Sequence, residues 1–332
     1  MLSRLAVGSG TGIVSAVVMI ASITSASAFM GALLPVLVPL PIVIAGLGWG
    51  WLASSTAAVV AAGLVSVTIA PKAGILHLCA VGLPMASFAY LLLLNRQHTP
   101  PATPNQPAIE WYPVGRVLAY ATLLAGALTT AMLYALAGDA TALEAEIRKT
   151  IDLWADGNLP FPKIEFRGDQ EAERAILART MVVLFPISVA LSWMMFATLN
   201  LWLGARIVHA SGLLARPWPD LTLTAMPKEM TAVFVALVIG FMVLTDYYRL
   251  ICIAFLSATA FAYVLVGLAI VHNVTRGWAS RSLILSLLYL CLIIPYLSII
   301  VWFMALPLIG LIEPLSPIQR RPGLSSRHIK KD

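Results

Sequence analysis

Long apolar runs separated by short polar breaks make up most of the chain, and charge is nearly confined to the breaks. Residues 13–23 are apolar or small, and after Ala26-Ser27-Ala28 the apolar pattern resumes at once. From Phe29 to Gly63 there is no charged residue. Pro35, Pro39 and Pro41 interrupt the first part of this stretch, and proline inside a helix removes a hydrogen bond and bends it. In lipid, such a break requires protein or a watery cavity to cover the freed backbone. Gly46, Gly48 and Gly50, interleaved with Trp49 and Trp51, read as a turn at the membrane surface, the depth that tryptophan favours. Ala53, Ala57 and Ala61 then recur every fourth residue, beside a parallel row of Ser54, Ala58 and Ala62. Small residues at this spacing let membrane helices approach closely. Two uses stay open for the stretch: ordinary helix packing, or a broken helix lining a ligand cavity.

The same pattern predicts spans at about 33–47, 51–70, 74–94 and 114–137, then a long helix over about 170–210 with Pro186 kinking it. Further spans are expected at about 230–244 and 250–271. The stretch 33–47 is shorter than the roughly 20 residues an upright span needs, so it is expected to be re-entrant or distorted. The final apolar run, 282–312, is too long for one upright span and short for two, with Pro295 and Pro307 inside it. A retained first span is expected rather than a cleaved signal, because apolar sequence continues from Phe29. The resulting fold class is all-α: a polytopic transmembrane helical bundle of about 8–10 membrane segments over residues 1–312. A basic, disordered tail at 313–332 follows.

Two polar stretches interrupt the bundle. Residues 95–113 form a proline-rich linker unable to bury a core. Residues 138–174 carry nine acids and five bases, enough to place this insertion outside the bilayer. Within it, Thr141-Ala-Leu-Glu144 suits a capping box. Leu143, Ile147, Ile151 and Trp154 then share one helical face, with Gly157, Asn158 and Pro160 ending the helix. Asp169 is placed to cap the next helix, with Glu171 and Glu173 in its first turn. Asp246, Tyr247, Tyr248 and Arg249 read as a tight polar turn in which Asp246 and Arg249 pair.

Composition agrees with the pattern. Apolar residues make up 60% of the chain and charged residues 11%, against about 25% charged in soluble domains. The net charge of +6 is scattered over loop ends and forms no stripe for nucleic acid. Lysine and arginine accumulate in cytoplasmic loops. A cytoplasmic N-terminus places the acidic insertion outside and the loops around Arg216 and Arg276 inside. The last run is then expected to return as a hairpin, leaving the tail inside.

The chemistry is sparse. Cys79, Cys252 and Cys291 lie far apart in apolar runs, so neither a disulfide nor a zinc site is expected. No P-loop, HExxH, GxSxG or dinucleotide fingerprint is present, and Gly46-Leu-Gly-Trp-Gly50 lacks the spacing and acidic residue the last requires. No enzyme activity, cofactor or metal is expected, and the carboxylates of 138–174 read as a solvated face. The ligand-contact candidates are the polar groups inside apolar runs: His77, Asn200, Tyr263, Tyr289 and Tyr296. For His77 and Asn200 a structural hydrogen-bonding role stands beside the ligand role.

NLWLGARIV from Asn200 to Val208, followed by RPWPDL, resembles alphaproteobacterial members of the YybS-like membrane proteins. So does AYVLVGLAIVHNVTRG from Ala262 to Gly277, with a basic tail soon after the last apolar segment. That family has no assigned activity, so it supplies no catalytic residues. A glutamine common in its members is replaced here by Val266. The order of PxP, glycine turn and small-residue ladder is also similar to the second and third helices of energy-coupling-factor substrate-binding subunits. Those capture vitamins or metal ions and dock on a transport ATPase module. The resemblances imply a multi-pass protein of the bacterial inner (cytoplasmic) membrane that binds or transports a small solute. Its partners would be the lipid bilayer, a small-molecule ligand and an ATPase module or other membrane protein, not nucleic acid. The alternative is a scaffold or assembly factor that recruits partners through the faces carrying Ala53, Ala57 and Ala61.

Overall fold

The computed structural model describes residues 1–97, 109–158, 163–294 and 301–313. Among them, seven helices are long and apolar enough to cross a membrane. They are Leu2–Thr24, Phe29–Trp49, Trp51–Thr68, Pro71–Leu93, Val114–Leu136, Gln170–Ala210 and Asp246–Val274. The protein is thus an all-α polytopic membrane protein. Two further apolar helices, Glu229–Val243 and Arg281–Ile293, are only 15 and 13 residues long. The first matches the segment expected at 230–244, and the second is the first part of the run expected at 282–312, of which residues 295–300 lie outside the described residues. The first stops because the chain becomes extended at Leu244. The second stops at Ile294, whose extended backbone is the conformation a following proline favours. Pro295, Tyr296 and residues 314–332 of the basic tail lie outside the described residues.

The chain forms two compact units, Met1–Leu118 with Met195–Thr224, and Ala119–Met194 with the described residues from Ala225 onward. In the first unit, α1 (Leu2–Thr24), α2 (Ala28–Leu37), α3 (Leu40–Trp49) and α4 (Trp51–Thr68) lead into α5 (Pro71–His77). A π-turn at Leu78–Gly82 joins α5 to α6 (Leu83–Leu93). The span expected at 33–47 is distorted by a break: α2 and α3 are separated at Val38 and Pro39, where Pro39 and Pro41 cannot donate to the preceding turn. Gly50 makes the turn into α4 at φ 92, a backbone region that side chains with a Cβ rarely enter.

The linker carries more structure than its composition predicts. β1 (Asn95–Gln97) and β2 (Ile109–Trp111) pair antiparallel, with Arg96 opposite Glu110. Arg216 supplies the tertiary support, since its Nη1 donates to the Leu92 carbonyl at 3.2 Å and the Tyr112 carbonyl at 2.9 Å. Both strands of the ribbon are therefore held at their shared base by one side chain. Burial draws the Arg216 guanidinium below the usual arginine pKa, because desolvation disfavours the charged form.

The second unit contains most of α7 (Val114–Leu136), then α8 (Ala140–Ala155) and the first part of α9 (Gln170–Ala210). α10 (Glu229–Val243), α11 (Asp246–Val274), α12 (Arg281–Ile293) and, after a π-turn at Val301–Ala305, α13 (Leu306–Ile312) complete it. The cap of α8 lies earlier than the predicted box. Asp139 Oδ1 accepts from the Ala142 amide at 2.8 Å and from the Thr141 hydroxyl at 2.6 Å. Glu144 pairs instead with Arg148, which also reaches Glu171 at the start of α9. The expected face is inward: Leu143 and Ile151 are buried, and Leu143 joins Leu133, Tyr247 and Leu250 in the core. Asp169 caps α9 as expected, accepting from the amides of Glu171 and Ala172.

The turn at 246–249 differs from its prediction. Asp246 adopts φ 51, and Arg249 Nε donates to the Leu244 carbonyl at the end of α10. Among the described residues Asp246 and Arg249 form no ion pair.

Candidate functional site

α4 is the centre of the first unit, and both rows of its ladder are buried. Ala53, Ala57 and Ala61 are each 0% exposed. The row meets α1, where a Cβ on Gly8 would stand 2.5 Å from the Ala53 carbonyl oxygen and one on Gly12 2.6 Å from that of Ala57. Ala16 continues the α1 stripe against Ala61 and Val65. Only hydrogen at Gly8 and Gly12 permits this approach. Sequence reasoning overlooked these three residues, although Gly8-xxx-Gly12-xxx-Ala16 is a legible close-packing signal. The second row serves other neighbours: Ser54 lies against Gly46 of α3, Ala58 against Gly82 of the π-turn, and Ala62 against Gly74 of α5.

The broken span is closed by two side chains from distant helices. Ser15 Oγ of α1 donates to the Val38 carbonyl at 2.7 Å. Asn200 Nδ2 of α9 donates to the Val36 carbonyl at 2.7 Å and to Phe196 in its own helix at 2.7 Å. Carbonyls in the last turn of a helix lack intrahelical donors, and lipid supplies none. Asn200 Nδ2 thus makes the hydrogen bonds its structural reading expects. Its Oδ1 is buried without a partner among the described residues.

His77 ends α5 and is 3% exposed. Neither of its ring nitrogens has a hydrogen-bond partner among the described residues. The π-turn begins at the next residue, and the Leu83 amide reaches back to the Leu78 carbonyl. Insertions of this kind in membrane helices often mark functional positions.

Tyr263 and Tyr289 belong to the second unit and have separate partners. Tyr263 is fully buried, with its hydroxyl 3.3 Å from Thr231 Oγ1 and its ring edge-on to Phe234. Its backbone lies under Gly310 of α13, while Gly267 lies under Leu306, so α11 and α13 cross at near-contact distance. Tyr289 Oη is 3.1 Å from His272 Nε2, and His272 Nδ1 is 2.8 Å from the Leu268 carbonyl. A carbonyl only accepts, which assigns the ring proton to Nδ1 and makes Tyr289 the donor to Nε2. Each tyrosine hydroxyl therefore has a partner within its own unit. Tyr296 lies outside the described residues. Among those described, no three His, Cys, Asp or Glu side chains gather as metal ligands, and the three cysteines are free.

Tyr247 was absent from the candidates yet is a structural anchor. Its hydroxyl donates to the Ala137 carbonyl at 2.8 Å, just past α7, and its ring packs edge-on to Tyr134. Its place in an aromatic pair next to a charged turn gave no local sign of this long-range bond.

A family model described as a predicted membrane protein, DUF2232, matches residues 13–307. No curated protein and no solved structure matches the chain significantly.

Proposed function

The chain belongs to the DUF2232 family of membrane proteins, and from that premise we propose that it is a membrane-embedded binding or transport subunit for a small solute. The observation that carries this reading is His77, a buried imidazole with both nitrogens unpartnered among the described residues. Leaving a buried polar group unsatisfied costs about 1–3 kcal/mol, and a residue needed only for packing would be better apolar. Polar groups held inside a span at such cost mark solute or ion paths. The adjoining π-turn and the unpartnered Oδ1 of Asn200 beside the broken span support the same reading.

Within this proposal the solute is a vitamin-like molecule or metal ion and the partner an ATPase module, supported by the order of PxP, glycine turn and small-residue ladder in the sequence. The same proposal includes a bacterial inner membrane as its location and a cytoplasmic N-terminus, which the lysine and arginine distribution supports. The scaffold reading has less support. The small-residue rows it would offer to a partner face α1, α3, α5 and the π-turn of the same unit.

The test is thermal stability of the purified full chain against a panel of vitamins and metal ions. At least one small solute should raise Tm of the wild type. His77→Phe should raise basal Tm, corresponding to about 1 kcal/mol or more, while abolishing the solute-dependent shift. A His77→Phe protein that keeps the whole shift would remove His77 from the site.

A further inference from the structure

The last turns of α9 and the loop after it enclose an open groove of about 490 Å³, lined by Trp202, Arg206, Trp218, Pro219, Asp220, Leu221 and Thr222. Two tryptophans and an arginine meet there where an apolar helix ends. Trp202 is 49% exposed. The Arg206 guanidinium carbon lies 5.1 Å from the Trp218 ring centroid. His209, one turn further along α9, packs on the same indole at 5.3 Å between centroids. Stacking on an indole holds a guanidinium by its face and leaves its edge donors for a planar or tetrahedral anion.

The two arginines of this region have different tasks. Arg216 is used within the protein, donating to the carbonyls of Leu92 and Tyr112. Arg206 forms no ion pair among the described residues. Asp220 is the acid in the lining, and its Oδ1 is engaged in its own turn by the Thr222 amide at 3.0 Å and hydroxyl at 2.6 Å. From 206 to 222 the chain carries Arg206 and Arg216 against Asp220, so the local charge favours an anion. Leu199 and Ile207 continue the exposed apolar surface of α9.

The geometry points to a binding site for an anionic phospholipid in this groove. Its headgroup phosphate lies on Arg206, its glycerol region against Trp218, and its acyl chains run along Trp202 and the apolar face of α9. Indole rings favour this depth, and a basic pocket at the end of a span is the physical form of headgroup recognition in membrane proteins. The site is independent of His77 and of the solute reading.

The experiment measures stabilisation of the detergent-purified full chain by phosphatidylglycerol, with phosphatidylcholine and soluble glycerol phosphate as the other arms. Phosphatidylglycerol should stabilise the wild type and Lys228→Gln equally, and more than phosphatidylcholine does. Arg206→Gln should weaken the apparent phosphatidylglycerol affinity about fivefold, the weight of one basic side chain at an anionic surface. If Arg206→Gln is not recovered folded, Trp202→Leu replaces it, with the same loss expected. Equal stabilisation by both lipids overturns the proposal, as does equal loss in Arg206→Gln and Lys228→Gln, which would indicate diffuse charge. Stabilisation by glycerol phosphate matching that by phosphatidylglycerol also overturns it, assigning the groove to a soluble phosphate.

Discussion

Tyr247 bears a disproportionate share of the second unit, since one hydroxyl joins the start of α11 to the chain just past α7. Removing it leaves the buried Ala137 carbonyl without that donor. Tyr247→Phe should therefore destabilise by about 1–3 kcal/mol, read from Tm in detergent, while the ring contact to Tyr134 persists. Asp139 supplies a pH-dependent counterpart at the surface. The Thr141 hydroxyl, and after it the Ala142 amide, hold its carboxyl below the ordinary aspartate pKa. The folded value lies below the unfolded one, so the cap is fully stabilising above the unfolded pKa and is lost as pH falls through the folded one. Amide hydrogen exchange in the first turn of α8 should accelerate over that acidic window. Asp139→Asn should flatten the dependence.

At the scale of helices, the α1–α4 contact depends on what is missing from α1. A Cβ on Gly12 would meet the Ala57 carbonyl oxygen at 2.6 Å and its Cα at 3.1 Å, so the backbones must separate. Gly12→Ala should cost about 1–3 kcal/mol, the usual range for overpacking. Gly10 sits on the same helix with open space around it. Gly10→Ala should be stabilising by about 0.5–1 kcal/mol through helix propensity alone. Opposite signs from two identical substitutions two residues apart would establish close approach; equal signs would refute it. The ladder on α4 was legible because small residues every fourth position are a local signal. Its partner was equally written in Gly8 and Gly12, but a stripe does not say which other stripe it meets.

For the whole molecule, lysine and arginine placement predicts the acidic insertion on the outer side and the Arg216 loop on the inner side. Cysteine labelling in a background lacking Cys79, Cys252 and Cys291 checks both. Asn158→Cys should react with an impermeant reagent in intact cells, and Leu223→Cys should react only after permeabilisation. The reverse pattern would invert the topology. Much of the architecture was readable this way. Apolar length marked the seven long helices, and the prolines at 35, 39 and 41 marked the broken one. The candidate site was less readable. His77 and Asn200 were visible as polar residues in apolar runs, but the sequence could not distinguish a satisfied side chain from an unsatisfied one. Tyr263 and Tyr289 looked equivalent to them, yet each is partnered.

The sequence by itself determined the class of protein, its helices, the break at the prolines and the closeness of packing around α4. These follow from apolar length, 3.6-residue periodicity and side-chain size, all properties of a local window. Only the tertiary structure decided how exposed backbone inside the apolar region is satisfied. Ser15 reaches Val38 across 23 positions and Asn200 reaches Val36 across 164. Arg216 likewise closes a ribbon more than a hundred residues earlier in the chain. Lipid offers no hydrogen bonds, so every freed carbonyl must find a donor within the protein. Which donor arrives depends on how helices distant in sequence are brought together, and no local periodicity encodes that.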